Sequence, residues 1–92
     1  MLSLTLVEAE LTHDTETFGK MDPFVKITSE HLGLKSSVHK SGGKTPKWNQ
    51  ELTIDPTYLG QEVKIAVMDD EDGKKADLVG DIIVLKEDLM TD

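Results

Sequence analysis

The chain contains no cysteine and no arginine, and it has no long apolar run. Without cysteine there is no disulfide framework, thiolate nucleophile or thiolate zinc site, and a reducing compartment is expected. Without arginine there are no bidentate forks of the kind that read phosphates and base edges, so nucleic acid is an unexpected partner. No apolar stretch approaches the roughly 20 residues that a membrane-spanning helix needs. Met1-Leu2-Ser3-Leu4 also lacks the basic start of a secretory signal, and a soluble, cytoplasmic chain is expected. No nucleophile elbow of the Gly-x-Ser-x-Gly type is present, and His13, His31 and His39 are scattered. The sequence therefore points away from an enzyme.

What is present is acid, unevenly placed. The 92 residues carry a net charge of −8. Residues 13–22 hold Asp14, Glu16 and Asp22 against Lys20, and residues 69–77 hold five acids against Lys74 and Lys75. These two stretches supply five of the eight net negative charges. Residues 35–47, by contrast, hold Lys35, Lys40, Lys44 and Lys47 and no acid at all. The molecule is dipolar rather than uniformly acidic.

Elsewhere a period of two dominates, the mark of half-buried strands. Leu2, Leu4 and Leu6 alternate with Ser3, Thr5 and Val7, and Val25 and Ile27 alternate in the same way. Trp48, Gln50, Leu52 and Ile54 share one face, and Val63, Ile65 and Val67 share another. Ser36-Ser37-Val38-His39 reads as a short polar strand, and residues 78–85 as a denser apolar one. Turn chemistry separates these stretches at Gly19 and Pro23, Ser41-Gly42-Gly43 and Pro46, Asp55-Pro56, and Asp72-Gly73. Glu87-Asp88-Leu89 suits a single helical turn. Six strands and almost no helix predict an all-β antiparallel sandwich in one small domain spanning residues 1–92.

Three runs in order carry a family resemblance. Gly19-Lys20-Met21-Asp22-Pro23-Phe24-Val25 resembles the Gly-Lys-Ser-Asp-Pro-Tyr-Val run of C2 domains, the calcium- and phospholipid-binding sandwich modules. Thr45-Pro46-Lys47-Trp48-Asn49-Gln50 is similar to their Asn-Pro-x-Trp-Asn-Glu. Asp69-x-Glu71-x5-Asp77-x-x-Gly80 follows their Asp-x-Asp-x5-Asp-x-x-Gly. The resemblance implies a Greek-key β-sandwich of the C2 type. Against it, the six strands fall about two short of the complete domain. That shortfall implies either a longer parent protein or a protein partner that covers an open sheet edge.

The resemblance also implies a calcium site, with Glu16, Asp22, Asp69, Glu71 and Asp77 as metal ligands. Glu16 and Glu71 stand where the family has aspartate. Each is one methylene longer, in a shell whose distances are held to roughly 2.3–2.6 Å. Read on their own, Asp22 before a proline is a turn opener, and Asp72-Gly73 is a hairpin signal. Converging carboxylates without a cation repel by roughly 1–3 kcal/mol per pair at about 5 Å. A hard divalent cation relieves that repulsion.

Two other cation or phosphate motifs fail. In an EF-hand register set by Gly73, Met68 takes the first ligand position and Val79 the bidentate glutamate. Gly43-Lys44-Thr45 resembles the end of a phosphate loop, but Val38 stands where the first glycine belongs and Pro46 follows at once.

For an anionic phospholipid membrane, the contact candidates are Phe18, Lys74 and Lys75 at the loop tips. Lys35 and Lys40 join them from a region where some C2 domains bind phosphoinositides. Two functions follow. One is a calcium-dependent module that docks peripherally on anionic phospholipid. The other is a calcium-independent C2-like protein-interaction or structural subunit of a larger assembly.

Overall fold

Alternation along the chain becomes strand pairing in the computed structural model, which describes residues 1–13 and 19–90. The elements run β1 (Leu2–Glu8), β2 (Pro23–Ser29), β3 (Leu32–Lys35), β4 (Lys47–Ile54), β5 (Glu62–Asp69) and β6 (Asp77–Leu85). A 3-10 turn, Pro56–Tyr58, lies between β4 and β5, and a short helix α1 (Lys86–Leu89) follows β6. Every pairing is antiparallel. β1 and β4 form a two-stranded sheet, and the other strands form a four-stranded sheet in the order β3-β2-β5-β6.

The period of two decides which side chains meet. Leu2 lies opposite Ile54, Leu4 opposite Leu52 and Leu6 opposite Gln50, so β1 and β4 share one apolar face. That face packs on the inner face of the larger sheet, where Val25, Ile27, Ile54, Leu59 and Val63 form the buried core. Leu59 arrives from the 3-10 turn. There Asp55 caps the first turn, its Oδ1 accepting from the Thr57 backbone N–H at 3.0 Å and from the Thr57 hydroxyl at 2.9 Å.

The stretch 36–39, expected as a strand, is not one. The third strand lies just before it, at Leu32–Lys35, joined to β2 by the two residues Glu30 and His31. No glycine, proline or asparagine announces that connection, and its apolar pattern is only Leu32 and Leu34. Residues 36–39 still follow β2, since Ser36 N–H donates to Val25 O at 2.8 Å and His39 N–H to Pro23 O at 2.9 Å. The ladder is broken by a side chain: the buried Ser36 hydroxyl itself accepts from Val25 N–H at 2.8 Å. A serine in this position serves the backbone in place of a strand carbonyl.

The Trp48-Asn49 pair also has a structural cause. Leu6 partners Gln50 and Glu8 partners Lys47, so Val7 alone faces both Trp48 and Asn49. This is a bulge, and Asn49 adopts φ +47°, a left-handed conformation that asparagine tolerates better than most residues. The Trp48 indole N–H then donates to Pro23 O at 3.1 Å. One hydrogen bond thus fixes the smaller sheet to the start of β2, next to Asp22.

Candidate functional site

The acidic residues meet because three strand ends lie side by side. Asp69 closes β5, where it is paired with Pro23 at the start of β2 on one side and with Asp77 at the start of β6 on the other. Neighbouring strands run about 4.8 Å apart, so residues at these ends are necessarily close. Two backbone N–H groups fasten the Asp22 turn to the β5 end. Asp22 N–H donates to Asp69 Oδ1 at 2.8 Å, and Asp70 N–H donates to Asp22 O at 3.0 Å. From the other side, Gly43 N–H donates to the carbonyl of the fully buried Met21 at 3.0 Å. Gly43 needs φ +61° to do so.

Within this frame Asp69, Glu71 and Asp77 bring one carboxylate oxygen each to within 4.8 Å of one another. Asp69 is fully buried, Glu71 half-buried and Asp77 exposed, so the group runs from the sheet end out to the surface. The turn carrying it closes with Lys74 N–H donating to Glu71 O at 2.6 Å, and Gly73 takes φ +73°. The donor set is all oxygen, hard and anionic. Three carboxylates offer two oxygens each toward the roughly six to eight that calcium takes, which is the chemistry that cation requires. Glu71 reaches the group with its extra methylene because it sits out on the turn rather than on the strand.

Asp22 stands beside this group, tied to it through the hydrogen bond from its N–H to Asp69. Its Oδ1 accepts from Ser41 N–H at 2.7 Å, at a residue with φ +57°. Asp72, also on the acidic turn, pairs with Lys40 at 3.3 Å. That hydrogen bond and the charge of Asp72 hold the Lys40 ammonium above the usual lysine range against a small loss of hydration, and Asp22 and Asp70 add to the effect. Lys40 therefore sits in the field of the acidic end, paired with Asp72. Neither this pair nor the Asp22–Ser41 contact shows in the sequence, because the partners lie 32 and 19 residues apart. Only the glycine-rich turn after Ser41 hints that the backbone there is special.

The other candidates are distributed around the molecule. Lys74 and Lys75 are exposed on the turn that bears Glu71. Lys35 lies on the outer face of the larger sheet, opposite Lys26, with its ammonium 5.9 Å from the centre of the Phe24 ring. Glu16 and Phe18 lie outside the described residues. Among the described residues, no helix is long and apolar enough to cross a membrane.

Comparison with known proteins follows the same lines. The family model of the C2 domain matches residues 1–92. The chain is 29% identical over 91 residues to 16 kDa phloem protein 2 of Arabidopsis thaliana, covering 99% of this chain and 62% of that protein. It is 30% identical over 91 residues to Elicitor-responsive protein 3 of Oryza sativa subsp. japonica, covering 99% of this chain and 63% of the relative. The chain thus spans under two thirds of the length of these relatives. Among solved structures, a C2 domain of plant Extended Synaptotagmin 1 superposes with a TM-score of 0.73 at 23% identity, covering 94% of this chain and 68% of that one. The strand order, the loop chemistry and the full-length family match agree: this chain belongs to the C2 domain family.

Proposed function

We propose that this protein is a calcium-responsive binding module, not itself an enzyme, that docks on anionic phospholipid surfaces. The observation that carries the reading is the convergence of Asp69, Glu71 and Asp77 within 4.8 Å at one end of the sheet. Without a cation this end is negative and is repelled by an anionic leaflet. Calcium held by Asp69, Glu71 and Asp77, with Asp22 and Glu16 as further donors, lowers that charge. Lys74 and Lys75 on the same turn, and Phe18, then face lipid. Each lysine close to an anionic surface contributes about 1 kcal/mol. A peripheral, cytoplasmic association with membranes follows from this reading.

Calcium titration tests it in two ways. A cation that binds the folded chain alone raises its stability by about 2.7 kcal/mol at a hundredfold excess over Kd. A calorimetric titration and a thermal melt should therefore both respond to calcium. Both responses should disappear in the Asp69→Asn, Asp77→Asn double variant. Co-sedimentation with phosphatidylserine vesicles completes the test. Equal binding in calcium and in chelator rules out the switch.

A second reading has its own support: a calcium-independent protein-interaction or structural subunit. Ser41 N–H already engages Asp22 Oδ1, and Lys40 already pairs with Asp72. An acidic end whose carboxylates already have partners within the chain has less need of a metal. No heat at millimolar calcium, with a melt that ignores the ion, decides for this reading.

A further inference from the structure

The connection from β3 to β4 is folded around one histidine. The Lys47 backbone N–H, at the first residue of β4, donates to His39 Nδ1 at 2.8 Å. A backbone N–H can only donate, so Nδ1 is the bare nitrogen and the ring hydrogen sits on Nε2. A neutral imidazole thus stands where a carbonyl would otherwise accept. The segment between these two residues wraps on the ring. Gly42 N–H donates to His39 O at 3.0 Å, and Thr45 N–H donates to Gly42 O at 3.3 Å. Position 42 has no room for a side chain, because a Cβ there would lie 2.9 Å from His39 Cγ and Nδ1.

The same connection ties distant parts of the chain together. Ser41 N–H holds Asp22 Oδ1 at 2.7 Å, and Gly43 N–H holds Met21 O at 3.0 Å. On its other side, Lys44 O and Pro46 O accept from Leu11 N–H at 2.7 Å and Ala9 N–H at 3.1 Å, on the chain leaving β1. His39 N–H and the Trp48 indole N–H share one acceptor, Pro23 O, at 2.9 and 3.1 Å. One ring therefore sets the shape of a segment that joins β1, β2 and β4 beside Asp22.

Protonation is incompatible with this arrangement. A proton on Nδ1 removes the lone pair and sets two N–H groups against each other at hydrogen-bond distance. Histidine is the side chain that ordinarily changes charge between about pH 5 and 8. The acids nearest the connection are Glu8 opposite Lys47, Glu10 between Ala9 and Leu11, Asp22, and Asp70 and Asp72 on the acidic turn. Among the described residues, none of them forms an ion pair with the His39 ring. The connection itself is basic, with Lys40, Lys44 and Lys47 along it and the Lys20 side chain against Gly43. A further positive charge is poorly placed there.

We infer that His39 is a proton-operated latch. Its neutral ring holds the 40–46 connection closed, and acid releases that connection and loosens the hold of Ser41 on Asp22. The latch does not depend on calcium, so it is tested in chelator and stands or falls separately from the calcium reading.

NMR of the intact chain supplies the test. At about pH 7.5 the ring-nitrogen shifts should place the hydrogen of neutral His39 on Nε2. Between about pH 7.5 and about pH 5.5 the Lys47 and Ser41 amides should lose about threefold or more of their protection from solvent, after correction for the intrinsic pH dependence of exchange. Ordinary carboxylates titrate near pH 4, below that window. The Gly60 amide, which donates to Ser29 Oγ at the other end of β2, should not respond. His39→Asn puts an amide oxygen at the same point along the side chain, where it accepts but takes up no proton in this range. That variant should keep the protection and lose its pH dependence. His39→Leu offers no acceptor and should be unprotected at both pH values, whereas His31→Asn, on the exposed β2–β3 turn, should keep the wild-type response.

A hydrogen on Nδ1 at neutral pH, or wild-type protection that ignores pH, would overturn the inference. So would a pH response that survives in His39→Asn. The first two results need no variant, so a His39→Leu chain that fails to fold leaves the test intact.

Discussion

Ile27 and Ile82 are the same residue on the same face of the same sheet, two strands apart. One is fully buried and the other is 60% exposed. Apolar residues of β1 and β4 pack on the core that holds Ile27, whereas Ile82 lines an open trough along the side of the sandwich next to β1. Hydrophobic character alone therefore does not decide burial here. The width of the opposing sheet does. The covered half is held by interdigitated apolar side chains, whereas the open half is held chiefly by its ladder of backbone hydrogen bonds to β5.

Substitution is the direct way to break this contrast. Ile27→Ala removes buried methyl groups from the centre of the core and should cost about 2–5 kcal/mol in a denaturant titration. Ser36→Ala deletes the hydroxyl that satisfies Val25 N–H inside the covered half, and a cost of about 1–3 kcal/mol is expected. Ile82→Ala should cost less than about 1 kcal/mol, because so little of its side chain leaves water on folding. Were Ile82→Ala as costly as Ile27→Ala, the open half would be covered in solution and the contrast would fail.

The smallest effect is a pH dependence at the edge of the covered half. The Thr57 N–H and hydroxyl hold the Asp55 carboxyl below the ordinary carboxylate range. Its charged form is thus favoured by folding. The stabilisation is complete above the unfolded group's ordinary value and is lost as pH falls through the lowered value of the folded state. A slight acid-side loss of stability that Asp55→Asn flattens is the expected result, read from melts at a series of pH values. A wild-type curve that Asp55→Asn leaves unchanged would remove Asp55 from the account.

The sandwich was legible in the sequence because strand faces alternate, and Leu2, Leu4, Leu6, Leu52 and Ile54 show that alternation plainly. The strand at Leu32–Lys35 was not legible. Its turn lacks the residues that mark turns, and Ser36 imitates a strand continuation while using its side chain to end one. At the acidic end, the spacing of Asp69, Glu71 and Asp77 suggested a shared location, and the strand ends do bring those three together. The placement of Asp22 was legible, but the hydrogen bond that its carboxylate accepts from Ser41 N–H was not, since Ser41 lies on a separate connection. Long-range pairs such as Lys40 with Asp72 leave no local trace. The Trp48-Asn49 pair was legible as a motif, but its cause, a bulge with a left-handed asparagine, is visible only in three dimensions.

The Trp48 hydrogen bond has a practical consequence. Trp48 is the single tryptophan of the chain, and its indole is tied to the residue that follows Asp22. Intrinsic fluorescence therefore comes from one address, on the border between the acidic rim and the side trough. Loss of that bond or drying of the indole's surroundings would shift the emission colour, so the chain carries its own label for following either event.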